Sequence, residues 1–268
     1  MSDDDIALDE KRIYEERREE THAYVACELG VATVALSDDQ IGRFGLEHQC
    51  TARDIAADRG RLVVATAEDV LIGDGTGFTA TDFGPATAVG VGERVVAASE
   101  DGTVARLDGD EWVTLGAVAE PHAVDGDLVA ATDGCFRIDG DDLVALGRDA
   151  VRDVAAAGPY AGTADGVDRL ADGWTTELAG DATVVSAERD GDRAHAVVDG
   201  DLFARASGEW TAVDPTVSGI VDVAYAAATV TVTDDGTVAI DPVTAKDGAP
   251  EWRSRALGLA GVTGVAVP

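Results

Sequence analysis

Apolar and polar positions along this chain fall into one phrase written several times. A short run of small apolar residues is followed by an Asp-Gly turn, a second run ending in an apolar residue and Asp, another Gly turn and then, in several copies, Trp. The phrase reads RVVAASEDGTVARLDGDEW over 94–112, DLVAATDGCFRIDGDDL over 127–143 and PYAGTADGVDRLADGW over 159–174. Self-similarity at a period of a few tens of residues marks a repeat architecture. Aligned on the glycine of the first turn, the units fall at Gly30, Gly102, Gly134, Gly166, Gly200 and Gly236, with Glu68-Asp69 filling the gap between the first two. Seven units result.

Within a unit the alternation is that of strands. Four residues before the turn glycine stand Ala26, Ala98, Ala130, Gly162, Ala196 and Val232, and six before it stand Tyr24, Val96, Leu128, Tyr160, Ala194 and Val230. These share one face, because side chains alternate along a strand. The intervening Val25, Ala97, Val129, Ala161 and Thr231 are also small or apolar, so the strand is expected to be covered on both faces. Asp-Gly is a strong hairpin signal and predicts type I′ turns, with positive φ at both residues. Two such turns per unit, preceded by an apolar strand such as RDIAA (53–57), VRDVAAA (151–157) or IVDVAYA (220–226), give four short strands. No helical period intervenes between 22 and 268.

Repeated four-stranded units of this length predict an all-β, seven-bladed β-propeller. VTGVAVP (262–268) reads as an innermost strand without partners, and 23–45 supplies three strands without an innermost one. A composite blade from both ends is expected to close the ring and leave no open sheet edge there. An open solenoid would leave these complementary fragments unexplained. The remaining blades are predicted at 51–83, 85–117, 121–147, 151–178, 181–213 and 219–259. Residues 22–268 then form one propeller domain, preceded by a charged segment, 1–21, expected to be partly disordered.

Charge narrows the partners. With 52 acidic and 20 basic residues the net charge is −32, which argues against nucleic acid, whose backbone needs Lys and Arg to displace counterions. Lys occurs only at 11 and 246, and Ala, Val, Gly and Asp dominate. This is the style of a protein from salt-rich cytoplasm, where salt screens self-repulsion. Three cysteines, Cys27, Cys50 and Cys135, suit a reducing compartment. The charged opening has no secretory pattern, and the longest apolar region, 223–232, is about half a membrane span. A cytoplasmic monomer without membrane contact is expected.

The phrases AATDGCFRIDGDDL and AASEDGTVARLDGDEW resemble the blades of the quinoprotein-like and WD40-like propeller group. From DEKRIY through HQCTARDIAA and onward, residues 10–268 resemble an uncharacterised β-propeller family of haloarchaea. The resemblance implies a fold and carries no activity with it. The Trp-Asp dipeptide of WD40 blades is missing; Trp112, Trp174, Trp210 and Trp252 instead open outermost strands.

Propellers bind ligands where innermost strands begin, which singles out Arg53, Asp54, His122, Arg152, Asp153 and Asp222 as a channel-mouth ligand or partner site. The repeated Arg-Asp dipeptide also has a plainer reading, as ion pairs joining neighbouring strands. His48-x-Cys50 offers two soft metal donors, short of the four a zinc site normally shows. His195 stands where other units carry Ala, Val or Thr and reads as a packed histidine. The pairs Asp38-Asp39 and Asp141-Asp142 and the run Asp3-Asp4-Asp5 lack the ligand pattern of a calcium loop. Neither a Gly-x-Ser-x-Gly elbow nor a phosphate-cradling Gly-Lys loop occurs. No catalytic, cofactor or metal residue is therefore assigned. The reading is a non-enzymatic scaffold with a protein partner; the alternative is a small-molecule or metal-binding enzyme of quinoprotein or lactonase type, with its site in the channel. Lowering the salt is expected to unfold the chain, and a far-UV circular dichroism spectrum unchanged by desalting would contradict the halophilic reading.

Overall fold

The computed structural model describes residues 21–37, 40–189, 193–241 and 252–268. The opening segment, Asp38-Asp39 and Asp247-Gly248 lie outside the described residues. The described residues form seven four-stranded antiparallel sheets and no helix. Blades 1 to 6 run over 52–80, 88–117, 121–145, 153–179, 182–213 and 220–256, within a few residues of the expected bounds. Blade 7 combines Gly264–Ala266, innermost, with Thr21–Cys27, Gly30–Ser37 and Gln40–Gln49. Its ends are joined by the antiparallel pairs Tyr24 with Ala266, Val25 with Val265 and Ala26 with Gly264. Innermost strands of successive blades touch, and that of blade 7 touches that of blade 1.

The described residues share no single core. Seven apolar clusters each fill the seam between two neighbouring blades. In blade 1, Leu62 and Val64 pack toward blade 7 with Val31 and Ala266, whereas Val63 and Ala65 pack toward blade 2 with Val89 and Ala97. Consecutive residues of one strand thus serve two seams, which is why these strands are apolar at every position. Trp side chains tie the outer part of the wheel. The indole N–H groups of Trp112 and Trp174 donate to the carbonyls of Thr81 (3.1 Å) and Leu146 (2.8 Å), each just past the preceding blade. That of Trp210 donates to Glu177 (3.1 Å) in blade 4.

The turns differ from expectation. Both residues have positive φ at Asp199-Gly200 (55° and 86°), but at most Asp-Gly pairs only the glycine does. Asp74, Asp101 and Asp235 instead accept, through the carboxylate, the backbone N–H two residues on, at 2.9, 3.1 and 3.1 Å. A side-chain turn replaces the type I′ backbone, because an aspartate can complete the turn without leaving the right-handed region. Hydrogen bonds from the hydroxyls of Thr76, Ser99 and Thr233, and after them these backbone N–H groups, hold the Asp74, Asp101 and Asp235 carboxyls below their usual range.

Near the axis the backbones come close. A Cβ on Gly90, in the innermost strand of blade 2, would sit 2.6 Å from Val124 Cγ1 and 2.9 Å from its carbonyl oxygen in blade 3. Gly90→Ala is expected to lower stability by about 1–3 kcal/mol through overpacking; an unchanged urea midpoint would contradict this packing.

Candidate functional site

Innermost strands have one edge paired within the blade and one turned to the axis, so their backbone N–H groups need acceptors from elsewhere. Three aspartates supply them. Asp54 accepts from its neighbour Ile55 and, across the seam, from Val89 of blade 2, both at 2.8 Å. Asp153 does the same with Val154 (2.8 Å) and with Val185 of blade 5 (2.7 Å). Asp222 does so with Val223 (2.7 Å) and with Val265 of blade 7 (2.8 Å). At the far end of the strands Asp125 accepts from Ala156 of blade 4 at 2.7 Å.

These groups line a central cavity of about 550 Å³ together with His122, Arg152 and Tyr225. Burial pushes the Asp54 carboxyl up to about 6, against the pull of its two N–H donors. Burial, reinforced by Asp125 and Asp54, pushes Asp153 up to about 7. Burial also carries Asp222 well above the carboxylate range, with Asp153 and Asp54 adding to it. The three carboxyls feel one another across the channel.

One mouth is crossed by a side chain that sequence reasoning did not single out. Arg189, in the first hairpin of blade 5, binds Asp58 of blade 1 at 2.6 Å and donates to the Val91 carbonyl of blade 2 at 2.6 Å. Asp125 of blade 3 lies 3.9 Å from the same guanidinium. Blades 1 and 2 are each three places from blade 5 in the ring, so the side chain spans the axis. The residue's only signal in the sequence is its place in the charged stretch ERDGDR (188–193).

Of the six residues expected at the channel mouth, Asp54, His122, Arg152, Asp153 and Asp222 line the cavity. Arg53 is not among the lining residues; it reaches over the seam to the Ala86 carbonyl (3.5 Å) and toward Glu100 (3.8 Å). Arg152 pairs with Asp181 at 2.5 Å, at the entry to blade 5. Neither arginine is paired with the aspartate that follows it. In each dipeptide both side chains reach forward to the next blade, one to a backbone N–H and the other to an oxygen. His122 is exposed and shares a hydrogen bond with Thr132 (3.0 Å).

The remaining candidates are scattered. His48 packs on the Phe78 ring, with centroids 4.9 Å apart. Burial and the nearby Cys27 push the Cys50 thiol up. Cys27 and Cys135 are buried in blade interiors. His195 is buried, and its Nδ1 lies 3.1 Å from the Tyr225 hydroxyl, which itself donates to the Ser186 carbonyl at 2.9 Å. Nδ1 is therefore the donor of that pair. Burial, aided by Arg193, pushes His195 down to about 4 and keeps it neutral. Among the described residues no group of three or more His, Cys, Asp and Glu is placed to hold a metal ion, and no helix is long and apolar enough to cross a membrane.

A family model described as HVO_0234-like, beta propeller, matches residues 7–268. The chain belongs to this family. No curated protein matches it. Among solved structures, YCF48 bound to D1 peptide is similar at 15% identity and a TM-score of 0.60, over 82% of this chain and 94% of that one. The computationally designed Ika8 protein is similar at 18% identity and 0.59, over 92% and 91%. The WD40 β-propeller domain of Doa1 is similar at 13% and 0.55, over 88% and 87%. At such identities these neighbours share the family's fold and nothing finer.

The channel carboxyls give a pH prediction. Asp54 and Asp153 rise in the folded chain to about 6 and about 7 from 3.8. A raised folded-state pKa adds stability that is complete below about pH 4 and is lost as the pH climbs through about 6 to 7. The urea midpoint is therefore expected to fall between about pH 5 and about pH 8, and to fall less in Asp153→Asn. The turn carboxyls, held low, act with the opposite sign but below this window. A midpoint that rises over the interval in the native chain, or an unaltered slope in the variant, would contradict the assignment.

Proposed function

We propose that this propeller is a non-catalytic interaction module: a rigid wheel that holds a protein partner in a salt-rich cytoplasm. The observation that carries the reading is the employment of the channel carboxylates. Each of Asp54, Asp153 and Asp222 accepts two backbone N–H groups, one of them from the next blade. The polar groups that a channel active site would need are engaged in holding the ring. A propeller of similar shape, YCF48, is bound to a peptide, and this chain's similar framework is suited to the same kind of use. Function rests on sites grafted onto folds, so the fold supports the class of activity and leaves the partner open.

A second reading is favoured by the cavity itself. About 550 Å³ lies within the range of small-molecule pockets, and His122 and Arg152 stand at the mouth that Arg189 does not cross. A metabolite or metal seated there would be the quinoprotein- or lactonase-like alternative.

The two readings separate in one experiment. The tagged chain is recovered from a salt-accumulating host at native salt throughout, and its mass is taken under non-denaturing conditions. A stoichiometric polypeptide that remains bound in Asp153→Asn is the expected result. A small-molecule or metal adduct lost in that variant would favour the channel reading instead.

A further inference from the structure

In a chain with 52 acidic and 20 basic residues a guanidinium is expected to find an oxygen partner. Among the described residues Arg59 and Arg61 are exposed and make no hydrogen bond or ion pair, whereas every other arginine is engaged. Both belong to one hairpin of blade 1, the turn that joins Ala52–Asp58 to Arg61–Thr66. It stands at the end of the channel that Arg189 bridges, and Arg59 itself lines the cavity.

Their lack of a partner has a structural cause. Asp58 lies directly opposite Arg61 in the strand pairing and precedes Arg59, so its carboxylate is the nearest one along the chain to both. It is bound instead by Arg189 of blade 5, at 2.6 Å. On the neighbouring hairpin of blade 2, Arg94 is bound to Asp108, and Glu93 pairs with neither cation. The bridge across the axis thus takes up the hairpin's own carboxylate and leaves its two guanidinium groups open. Local preference does not account for Arg59 either. Its φ is 49° and that of Gly60 is 80°, the type I′ turn, whose first central residue is normally Asn, Asp or Gly. Asp199-Gly200 makes the same turn with the favoured residue. An arginine in the left-handed region carries a backbone cost that Asn lessens. What it supplies in return is its charge.

We propose that Arg59 and Arg61 receive an acidic segment of the protein partner, which makes the bridged face of the wheel the docking face. The inference rests on the interaction-module reading above and adds the partner's chemistry to it. A guanidinium matches a carboxylate through two parallel N–H donors. Carboxylates on alternate residues of an extended segment lie about 7 Å apart on one side, so one segment offers a partner to each arginine. Once the first pair has formed, the second forms within a tethered complex, an advantage that a lone small anion lacks. Arg189 is a positioning residue here, because it keeps Asp58 away from the two cations. The net charge of −32 opposes the approach of an acidic segment. Salt removes that long-range repulsion before it removes pairs in contact.

The test uses the full chain, isotope-labelled in arginine, in about 1 M KCl, where the Debye length is about 3 Å. It is titrated with hexaglutamate and followed through the arginine Nε–H resonances. Those of Arg59 and Arg61, assigned from Arg59→Asn and Arg61→Gln, are expected to move together and to saturate while the other arginines stay still, and hexaglutamine is expected to move neither. Arg59→Asn is expected to weaken binding about tenfold, the loss of one charge-assisted contact, and yet to raise the urea midpoint, because it suits the turn. Arg189→Gln releases Asp58 and is expected to weaken binding several-fold. Arg189→Gln combined with Asp58→Asn is expected to restore it, which also shows that the wheel folds without the bridge. Static resonances, equal movement of every arginine or a double variant that fails to recover would overturn the site. So would movement of both resonances, without peptide, when Asp3, Asp4 and Asp5 are replaced by Asn, because the chain's own opening segment would then fill the place. A polypeptide recovered at native salt as firmly by the Arg59→Asn, Arg61→Gln double variant as by the native chain also overturns it and leaves the module reading intact. Recovery of no polypeptide by either, with a saturating titration, counts against the module reading and supports the site.

Discussion

A wheel of separate sheets depends on what happens at the inner edge of each sheet. Backbone N–H groups there have no strand beside them within the blade, and leaving them unpaired near the axis would cost about as much as a lost buried hydrogen bond. Asp54, Asp153 and Asp222 meet that need from the preceding blade, at 2.7 to 2.8 Å. Each side chain thereby couples two sheets that share no strand pairing. The same placement draws the carboxyls toward one another and away from water, which raises their pKa values. Cohesion of the ring and unusual acidity at its centre have one origin.

The seams follow from that arrangement. Because every blade is packed on both sides, the apolar residues are divided among seven thin clusters in place of one thick one. Small side chains suit thin clusters: Ala23, Ala88, Ala98, Ala130, Ala161 and Ala196 are fully buried. Only a minor share of aromatic residues is needed, and the Trp residues serve mainly as ties toward the rim. A chain of alanine, valine, glycine and aspartate can therefore build a large β-structure in which the charge lies mostly on turns and outer strands.

What the sequence discloses is what is local. Turn glycines and small residues four and six positions earlier recur in each unit, so strand count, blade bounds and the composite blade can be read without coordinates. The Arg-Asp dipeptides at 53–54 and 152–153 are visible too, but their partners are not. Val89 and Val185 lie 35 and 32 residues further on and take part through backbone N–H groups, which leave no mark in the choice of side chain. The same limit hid the turn geometry, since an aspartate that bends the chain with its carboxylate is spelled like one that adopts positive φ. Arg189 was out of reach for a different reason. Its carbonyl partner, Val91, is 98 residues away, and only closure of the ring brings the two together.

That guanidinium distinguishes the two ends of the interior. With Arg189 anchored to Asp58 and to the Val91 carbonyl on the opposite wall, one end of the channel carries a guanidinium bridge that the end on the His122 and Arg152 side lacks. The two disc faces are thereby made chemically inequivalent although the blades that build them are repeats of one another, and the asymmetry is set by one side chain that follows the innermost strand of blade 5.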